Sequence, residues 1–338
     1  MPKKIFITGG AGYIGSHTCV ELLNSGYKIL VYDNLINGSF EALERVKLIT
    51  NQKIDFIQGD IRNKCALEQA MCAFLPDVVI HFAGLKSVAE SMKHPLQYYD
   101  VNVCGSLNIL DSMSSAGCQN IVFSSSATVY ADDQNLPYNE SHILDPINPY
   151  GRTKLIFEQI LNDWVRSCEG NKAVCLRYFN PVGAHASGLI GENPDGEPNN
   201  LMPIISEVAA GQRNYLSIYG NNYSTRDGTG ERDYIHVVDL AYGHLKAVER
   251  LTYFNHFQIL NLGTGMGTTV QELISAFEKV SGKKIKSVIK DRRSGDVARS
   301  LANPSLAKQL LGISSNRTIE DMCRDSWLWK SKNLNGFK

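Results

Sequence analysis

The sequence lacks a net charge, because its 34 lysines and arginines balance its 34 aspartates and glutamates over 338 residues. A neutral chain offers no electrostatic reason to expect a nucleic acid or an anionic membrane as a partner. It also lacks an apolar run of transmembrane length, and the apolar stretch near its start is interrupted by Gly9. We therefore expect no nucleic acid, no membrane anchor and no signal peptide.

Closely spaced cysteines are missing too. The eight cysteines are scattered, none of them forms a Cys-x-x-Cys pair, and most have apolar neighbours. This pattern is typical of reduced thiols in a cytoplasmic protein rather than of disulfides or a metal site, and we predict no metal. Internal repeats and low-complexity segments are absent as well. A chain of this length can bury a large core, and we expect two domains.

What the sequence does contain starts with a strand, a glycine-rich turn and a helix. Residues 5–8 are β-branched or aromatic, and Gly9, Gly12 and Gly15 follow before a stretch with helical spacing. In such a unit Gly9 allows a tight turn, Gly12 lets backbone N–H groups approach a pyrophosphate, and Gly15 lets the helix lie close on the strand. The helix N-terminus then faces the phosphates. An ordinary strand–helix turn that is rich in glycine remains the alternative.

Asp33 favours the dinucleotide interpretation. Residues 28–32 form a second strand-like stretch that ends at Asp33, roughly 20 residues past the glycines, where a carboxylate can accept both ribose hydroxyls. The same carboxylate would repel a 2′-phosphate, and no arginine lies within three residues of it. We therefore predict NAD rather than NADP as the cofactor. A plain turn-forming role for Asp33, ahead of Asn34, is the alternative.

The alternation of strands and helices predicts the fold class. Further strand-like stretches at 55–58, 78–82 and 120–123 are separated by helical segments. This order is typical of an α/β protein with a Rossmann-type doubly wound parallel sheet.

The second half of the chain has a different character. Residues 186–200 are rich in glycine, proline, asparagine and acids, as expected of a loop between two domains, and the strands beyond them are shorter. We predict a dinucleotide-binding domain over 1–180 and a smaller, mixed α/β, C-terminal substrate domain over 181–338.

Polar residues at predicted strand ends are candidates by position, because ligands of doubly wound sheets bind beyond the C-terminal ends of the strands. These residues are Asp60, Lys86 and Ser124 to Ser126. Asp60 either holds the adenine amino group or caps a helix, and Lys86 is either a ligand or a solvated cation. His81 lies inside an apolar strand, which predicts a hydrogen-bonded core histidine.

Tyr150 and Lys154 lie four residues apart where helical spacing begins, so both face the same side of one helix. A tyrosine can take the proton of a hydroxyl whose carbon gives up hydride only if its pKa falls from about 10 toward 7, roughly 4 kcal/mol. One cation about 5 Å away supplies about 3 kcal/mol at an effective dielectric constant of 20. We therefore expect Lys154 to account for most of the shift and the positive nicotinamide for the rest. A solvated helix face is the alternative.

Longer motifs connect these features. They comprise residues 8–15, Ser126 ahead of 127–130, Tyr150 with Lys154, and the stretches 33–35, 81–86, 176–184, 198–203 and 228–236. Together they resemble the extended short-chain dehydrogenase/reductases and, within these, the UDP-glucose (UDP-galactose) 4-epimerases. The similarity runs from residue 4 to about residue 329.

The resemblance implies roles for individual residues. Ser126 and Tyr150 would be the catalytic pair, with Lys154 tuning Tyr150 and anchoring NAD. The residues that would bind NAD are Gly9, Gly12, Tyr13, Ile14, Gly15, Asp33, Asn34, Asn37, Asp60, Ile61, Phe82, Ala83, Gly84, Lys86, Asn102, Ser124, Tyr150, Lys154 and Tyr178. The residues that would bind the UDP-sugar are Lys86, Ser126, Tyr150, Asn180, Asn200, Leu201, Ser217, Tyr219, Arg232, Arg293, Asp296 and Ser300.

Three of the residues for the UDP-sugar also have an interpretation from chemistry. Tyr219 either stacks on a base or packs in the core. Arg232 and Arg293 can grip a diphosphate with two hydrogen bonds each, whereas Arg292 and Arg293 as a solvated pair are the alternative.

The activity that the resemblance implies is NAD-dependent interconversion of UDP-galactose and UDP-glucose by transient oxidation at sugar C4, in a cytoplasmic homodimer. One alternative is a nucleotide-sugar 4,6-dehydratase, which has an Asp-Glu pair where this sequence has Ala127-Thr128. Another is a non-catalytic NAD(H)-sensing protein, which would not need an intact Ser126, Tyr150 and Lys154.

Ser300 departs from one branch of the family. Members restricted to UDP-glucose and UDP-galactose often have a tyrosine four residues after the Gly-Asp of the segment 292–296, where this chain has Ser300. A serine in place of tyrosine frees on the order of a hundred cubic ångströms, enough for an acetamido group at sugar C2. We therefore predict that UDP-N-acetylglucosamine and UDP-N-acetylgalactosamine are epimerised too. The alternative is that Arg299 or another side chain fills the space.

Overall fold

The computed structural model describes residues 4–132, 135–254, 256–293 and 297–338. Up to residue 178 it alternates strands and helices. These are β1 (Lys4–Thr8), α1 (Tyr13–Asn24), β2 (Lys28–Asp33), α2 (Phe40–Thr50), β3 (Asp55–Gln58), α3 (Lys64–Phe74), β4 (Val78–His81), α4 (Val88–Lys93), α5 (Pro95–Tyr99), a π-helical turn (Asp100–Cys104), α6 (Gly105–Ser115), β5 (Asn120–Ser126), a 3₁₀ turn (Ala127–Val129), α7 (Pro149–Ser167) and β6 (Lys172–Tyr178).

The remaining elements are shorter and mixed. They are β7 (Asn180–Val182), α8 (Leu201–Ala209), β8 (Leu216–Tyr219), β9 (Glu231–His236), α9 (Val237–Arg250), a 3₁₀ turn (Leu251–Tyr253), β10 (Phe257–Leu262), β11 (Gly267–Thr269), α10 (Val270–Ser281), β12 (Ser287–Lys290), β13 (Arg299–Ser300), α11 (Ser305–Leu311) and α12 (Ile319–Lys332). No strand or helix lies between β7 and α8, so the loop predicted over 186–200 is confirmed.

A seven-stranded sheet organises the fold, in the order β10-β6-β5-β4-β1-β2-β3, and all of its pairings are parallel. The predicted Rossmann-type doubly wound sheet is therefore confirmed. Because the chain runs outward from β1 on one side and from β4 on the other, the strand order reverses between these two strands. Ligands of doubly wound sheets bind at this reversal, beyond the C-terminal ends of the strands.

Both faces of this sheet are covered by helices. Successive side chains of a strand point to opposite faces, so neighbouring residues of β1 pack against different helices. Ile5 and Ile7 of β1 pack in one apolar cluster with residues of α1 and α9. Phe6 packs in another with residues of α3, α6 and α7. His81 at the end of β4 is buried and bonded to Thr8 Oγ1 and Ser106 Oγ, both at 2.8 Å, so the predicted core histidine is confirmed.

The smaller C-terminal part is mixed α/β, as predicted. β7, β9, β11 and β13 form one sheet with parallel and antiparallel pairs, and β8 pairs with β12. A separate apolar cluster lies among α8, α10 and α12. The division at residue 180 stays a prediction, and the chain crosses it, because β10 returns to form the seventh strand of the large sheet.

β5 extends further than the apolar run from which it was predicted. Its apolar run ends at Phe123, but the strand continues to Ser126, which pairs with Tyr178 of β6. β4 pairs with β5 only as far as Phe123, so pairing with β6 alone keeps the three serines in the sheet despite their low strand preference.

Two further findings concern membrane-spanning helices and the cysteines. Within the described ranges, no helix combines the length and the apolar character that crossing a bilayer requires. All eight cysteines carry free thiols, and burial raises the pKa of Cys118 to about 11.

Candidate active site

The glycine turn after β1 packs against the segment that follows β4. Gly9 has a φ of +74°, and a Cβ there would lie 2.5 Å from the Ala83 nitrogen. A Cβ on Gly15 would lie 2.5 Å from the Gly9 oxygen, so this glycine lets α1 approach the turn itself rather than the strand. The protein's own packing therefore requires both glycines.

Gly12 differs, because a Cβ there would meet nothing closer than the Gly9 oxygen at 3.4 Å. Its φ of −80° is open to any residue. Internal packing does not explain this glycine, whereas the close approach of a ligand to the start of α1 does. Gly12 lines a cleft of about 400 Å³ together with Tyr13, Asn37 and Lys86. The turn thus fits the pyrophosphate of a dinucleotide.

The side chains of Tyr13 and Ile14 are used by the protein itself. The Tyr13 hydroxyl donates to the Gly183 oxygen at 2.6 Å, and burial raises the pKa of Tyr13. Ile14 packs against the apolar cluster around α1. Their backbone N–H groups, which have no partner inside the first turn of a helix, are the groups that can reach a phosphate.

Asp33 holds the glycine turn from the end of β2. Its carboxylate accepts hydrogen bonds from the nitrogens of Ala11 at 2.9 Å and Leu35 at 2.8 Å. The turn-forming role is therefore confirmed, and it leaves the ribose role open, because an ionised carboxylate has about four acceptor sites. Burial raises the pKa of Asp33, while the two backbone bonds lower it.

Asp60 is held by neighbours on both carboxylate oxygens. Arg62 donates to it from its guanidinium and its backbone, and Asn34 Nδ2 donates to Oδ2 at 3.0 Å. These bonds hold the pKa of Asp60 at about 2. The helix-cap alternative is wrong, because Asn63 caps α3 by accepting from the Ala66 nitrogen. The adenine role stays a prediction.

Ile61 follows Asp60 but turns into the protein. Its side chain is buried in the apolar cluster beneath α3, α6 and α7, and it fills the space beside Gly105. The backbone of Ile61 is therefore the part that can approach an adenine ring.

Asn102 fastens the segment after β4. Its Oδ1 accepts from the Leu85 nitrogen at 2.8 Å, and its Nδ2 donates to the Leu85 oxygen at 3.0 Å and to Thr153 Oγ1 at 3.1 Å. A Cβ on Gly84 would come within 3.0 Å of Asn102 Oδ1. Asn102 is thus placed to shape residues 82–85 rather than to contact NAD with its amide.

Lys86 and Asn200 meet at Glu192, which the sequence analysis did not single out. Lys86 Nζ lies 3.6 Å from Glu192 Oε1, and Asn200 Nδ2 donates to the same oxygen at 2.7 Å. The Glu192 side chain is 9% exposed, whereas Lys86 is 55% exposed. Nothing in the sequence distinguishes this acid from the others in the 186–200 loop.

Ser126 and Tyr150 meet at the C-terminal end of β5. The Ser126 side chain lies close enough to the Tyr150 phenol to lower its pKa, and Ser126 Oγ accepts a hydrogen bond from the Thr128 hydroxyl at 2.9 Å. Tyr150 is the second residue of α7, whose start is set by Asn148 accepting from the Gly151 nitrogen at 2.8 Å. The predicted pair is therefore brought together.

Lys154 lies one helical turn after Tyr150, on the same face of α7. Its Nζ donates to the Ser124 oxygen at 2.9 Å and lies 5.8 Å from the centre of the Tyr150 ring. Burial lowers the pKa of Lys154 to about 8, so the group is mainly an ammonium at neutral pH.

The expectation that Lys154 lowers the pKa of Tyr150 toward 7 is wrong for the residues of this chain. Burial raises the pKa of Tyr150 above 10, and the neighbouring Ser126 side chain offsets only part of this effect. The ammonium of Lys154 is directed at the Ser124 carbonyl instead of the phenol oxygen. Removing water around the phenol therefore outweighs the nearby cation.

Tyr178 and Phe82 converge on His244 of α9. The Tyr178 hydroxyl is hydrogen-bonded to His244 Nε2, and the Phe82 ring centre lies 4.8 Å from that of His244. Burial lowers the pKa of His244 to about 4, so the imidazole is neutral. His244 was missed because it lies 66 positions from Tyr178 in the chain.

The two predicted ligands on β8, Ser217 and Tyr219, lie on the same face of the strand. Ser217 and Tyr219 are half-buried, whereas Leu216 and Ile218, which alternate with them, are buried. The Arg293 guanidinium lies 3.8 Å from the Tyr219 ring centre, and its hydrogen bond lowers the pKa of Tyr219. Tyr219 is therefore covered by an arginine rather than packed in the core, and its stacking on a base stays a prediction.

Arg292 and Arg293 are both exposed, as the alternative of a solvated pair requires, but Arg292 has its own partners. Its guanidinium lies 4.0 Å from the Tyr223 ring centre, and its Nε donates to Asn222 Oδ1 at 2.8 Å. Each arginine thus stacks on a tyrosine of its own, and the diphosphate role of Arg293 stays a prediction.

Three adjacent strands carry further predicted ligands of the UDP-sugar. Asn180 on β7 pairs with Tyr234 of β9, and Ser300 on β13 pairs with Arg232 of β9. Arg299 next to Ser300 is bonded to Glu231 through its Nε at 2.6 Å. Leu201 begins α8, and Asp296 lies outside the described residues.

The predicted residues therefore form three groups. Gly12, Tyr13, Asn37, Lys86 and Asn200 line the 400 Å³ cleft. Ser126, Tyr150 and Lys154 meet beyond β5. The third group lies on the smaller part of the chain, at Asn180, Ser217, Tyr219, Arg232, Arg293 and Ser300.

Comparisons with known proteins identify the family. Residues 5–263 match the NAD dependent epimerase/dehydratase family. The UDP-glucose 4-epimerase of Bacillus subtilis is 52% identical over 334 residues, which cover 99% of this chain and 98% of the relative.

Solved structures agree as well. The UDP-glucose 4-epimerase from Stenotrophomonas maltophila, with bound NAD and formylated UDP-arabinopyranose, has a TM-score of 0.96 at 47% identity, over 98% of this chain and 99% of that one. The Bifidobacterium longum enzyme, in complex with NAD⁺ and UDP, has a TM-score of 0.95 at 46% identity with the same coverage. The chain belongs to the NAD dependent epimerase/dehydratase family and, within it, to the UDP-glucose 4-epimerases.

Proposed function

We propose that this NAD-dependent epimerase interconverts UDP-galactose and UDP-glucose with Tyr150 as the base that takes the sugar 4-hydroxyl proton. The observation that carries the proposal is the meeting of Ser126, Tyr150 and Lys154 beyond β5. This site lies at the same sheet edge as the glycine turn, where parallel strands end.

Ser126 and Tyr150 would act on the same proton. The two side chains are neighbours, so a substrate hydroxyl placed between them can donate to Tyr150 while Ser126 holds its oxygen. When the sugar is reduced again, Tyr150 returns the proton. The pair therefore needs no external acid or base over a complete cycle.

Bound NAD supplies the acceptor and the donor of a hydride at sugar C4, and so it is unchanged after each cycle. Asp33, the backbone at 12–14, and Lys154 are the groups of this chain suited to hold it. Because burial raises the pKa of Tyr150, the phenol stays protonated until another positive charge is added nearby. A positive nicotinamide held beside Tyr150 would favour loss of this proton.

Inversion at C4 requires the sugar ring to turn over while the nucleotide stays bound. We propose that Ser217, Tyr219, Arg232 and Arg293 hold the UDP group, because two of them are cations and the diphosphate is an anion. These side chains lie on β8, β9 and the segment after β12, outside the cleft that contains Gly12.

The direct test is to incubate the purified protein with UDP-galactose, without added NADH, and to analyse the products. We expect UDP-glucose to accumulate to equilibrium and no net change in cofactor absorbance. The alternative 4,6-dehydratase would release water and leave a 4-keto sugar, which chromatography separates from both hexoses. A non-catalytic NAD(H) sensor would leave UDP-galactose unchanged.

Two features favour the epimerase over these alternatives. Thr128 lies where a dehydratase has an acid, and its hydroxyl is already bonded to Ser126. Lys154 is buried beside the Tyr150 ring, and Ser126 is a neighbour of Tyr150, an arrangement that a sensor would not need.

We also propose that the enzyme accepts UDP-N-acetylglucosamine and UDP-N-acetylgalactosamine. Ser300 is half-buried beside Arg232, and it is small. Arg299, the neighbour that would fill the space, instead pairs with the buried Glu231. This pairing supports a pocket with room for an acetamido group.

A cytoplasmic homodimer is the assembly we propose. Large apolar side chains are exposed on three consecutive helices, namely Met92 on α4, Leu96 on α5 and Leu107 on α6. Light scattering during size exclusion measures the mass directly, and a mass of one chain would contradict the dimer. The free thiols support a reducing compartment.

A further inference from the structure

Glu158 and Arg177 form an ion pair inside the protein. The Arg177 side chain is 0% exposed and that of Glu158 is 3% exposed. Two guanidinium nitrogens of Arg177 donate to the carboxylate, Nε to Oε1 at 2.9 Å and Nη2 to Oε2 at 2.6 Å. Because burying two charges costs desolvation energy that apolar side chains would not, stability alone does not explain this pair.

The position of Glu158 connects it with the active site. It lies on α7, one turn after Lys154 and two turns after Tyr150, on the same helix face. Its Oε1 accepts a hydrogen bond from Ser125 Oγ at 2.5 Å. Ser125 lies between Ser124, whose backbone oxygen accepts from Lys154, and Ser126, whose side chain is a neighbour of Tyr150.

Arg177 extends the contact to other strands. From β6 it donates to the Tyr130 hydroxyl at 3.0 Å and to the Glu140 oxygen at 3.2 Å. Tyr130 in turn donates to Asn261 Oδ1 of β10 at 2.6 Å. The carboxylate of Glu158 is therefore held from β5 and β6, and it cannot shift without breaking several buried bonds.

We propose that Glu158 is a positioning residue for the epimerisation. It fixes α7 against β5 so that Tyr150 meets Ser126, and its negative charge favours the ammonium form of Lys154. The inference deepens the function proposed above and rests on it. Glu158 does not contact the reacting atoms, so it acts through Tyr150 and Lys154.

The groups around Lys154 support the role of this charge. His81 on β4 is buried, and this holds its pKa far below the usual range, so it is neutral. On β6, Tyr178 is a neutral phenol because burial raises its pKa, and Arg177 is paired with Glu158. Burial lowers the pKa of Lys154, and Glu158 raises it.

The other elements packed on α7 bring charges that are engaged elsewhere. Glu90 on α4 accepts from the Tyr98 hydroxyl of α5 at 3.0 Å, and Asp100 of the π-helical turn pairs with Arg62 at 3.1 Å. That turn contacts α7 through the uncharged pair of Asn102 and Thr153. From the residues named here, Glu158 is thus the acid that acts on Lys154.

Two variants separate the effect of the Glu158 charge on Lys154 from its effect on the placement of α7. Glu158→Gln keeps the size of the side chain and removes its charge, whereas Glu158→Asp keeps the charge and withdraws it by one methylene. Both are measured as holoenzymes, with kcat and KM for UDP-galactose determined from pH 6 to pH 10.

For Glu158→Gln we expect kcat at neutral pH to fall at least tenfold with KM within threefold of wild type. The alkaline limb of kcat should move to lower pH by roughly half to one unit, because Lys154 loses its proton more readily. For Glu158→Asp we expect a similar fall in kcat, but the alkaline limb of kcat should stay at the pH of wild type because the negative charge is kept.

Tyr130→Phe is the matched control, because it removes a hydroxyl from the same network but leaves the contact between Glu158 and Ser125. It should lower Tm and leave kcat within twofold and the pH profile unchanged. A Glu158→Gln profile that superimposes on wild type overturns the proposal. If Glu158→Gln does not fold, Glu158→Asp decides, and a kcat within twofold of wild type overturns it. Wild type without epimerase activity would instead refute the proposed function.

Discussion

Asn102 holds the peptide of Leu85 from both sides, accepting from its nitrogen at 2.8 Å and donating to its oxygen at 3.0 Å. The Asn102 side chain is buried, and its Nδ2 also donates a hydrogen bond to Thr153 Oγ1 of α7. One side chain therefore connects the segment after β4, which borders the proposed nicotinamide site, with the helix that carries Tyr150 and Lys154.

Replacing Asn102 should weaken cofactor retention. Asn102→Ala removes the partners of two half-buried backbone groups of Leu85, at up to about 1–3 kcal/mol each, so residues 84–86 should lose their fixed conformation. We expect NAD to bind roughly tenfold more weakly, as measured by the NAD content after dialysis. Asn120→Ala is the control, because Asn120 makes a similar bond to the Asp77 oxygen at the opposite end of the strands. Equal NAD retention in both variants would contradict the prediction.

The two glycines Gly9 and Gly12 should respond differently to alanine. Gly9→Ala places a Cβ 2.5 Å from the Ala83 nitrogen at a φ of +74°, so it should reduce the yield of folded protein. Gly12→Ala meets no protein atom closer than 3.4 Å, so it should fold and give an unchanged far-UV spectrum, but lose most bound NAD. A Gly12→Ala protein that purifies with a full complement of NAD would show that no phosphate approaches this position.

Removal of the Tyr150 hydroxyl should abolish turnover without harming the fold. Tyr150→Phe keeps the packing of the ring and removes the oxygen that moves the proton, so kcat should fall on the order of 10²–10⁴-fold while bound NAD is retained. Steady-state kinetics with UDP-galactose provides the measurement. A kcat within tenfold of wild type would exclude Tyr150 as the essential base.

The identity of the bound nucleotide tests Asp33. The carboxylate of Asp33 is fixed by the nitrogens of Ala11 and Leu35, so it cannot swing away from a 2′-phosphate. Protein purified without added nucleotide should therefore release NAD on denaturation, as identified by chromatography and mass. Recovery of mainly NADP would contradict the proposed role of Asp33 in excluding a 2′-phosphate.

Ser300 should set the range of sugars. Wild type should epimerise both UDP-galactose and the N-acetylated UDP-hexoses, because a serine beside Arg232 leaves room for an acetamido group. Ser300→Tyr should lose the acetylated class at least tenfold and keep UDP-galactose, as seen by comparing kcat/KM for the two classes. If wild type ignores the acetylated sugars, the pocket argument is wrong although the epimerase assignment stands.

Much of the site could be predicted because its signals are local in sequence. The helical repeat alone places Tyr150 and Lys154 on one face, and the strand ahead of Gly9 places the glycine turn at a sheet edge. The position of Asp33 at the end of the second strand could also be predicted from the sequence. Each of these properties depends on backbone periodicity or on residue type within a few positions, so a sequence specifies it directly.

Other properties depended on partners that are distant in the chain. The switch point between β1 and β4, the return of β10 and the meeting of Tyr178 with His244 depend on the strand order. The sequence places a cation near Tyr150, but the direction of the Lys154 ammonium and the depth of burial decide that the pKa of Tyr150 rises. By itself the sequence determined the elements and the chemical types of the site residues. The tertiary structure decided their pairings and pKa shifts, because burial and charge act through space rather than along the chain.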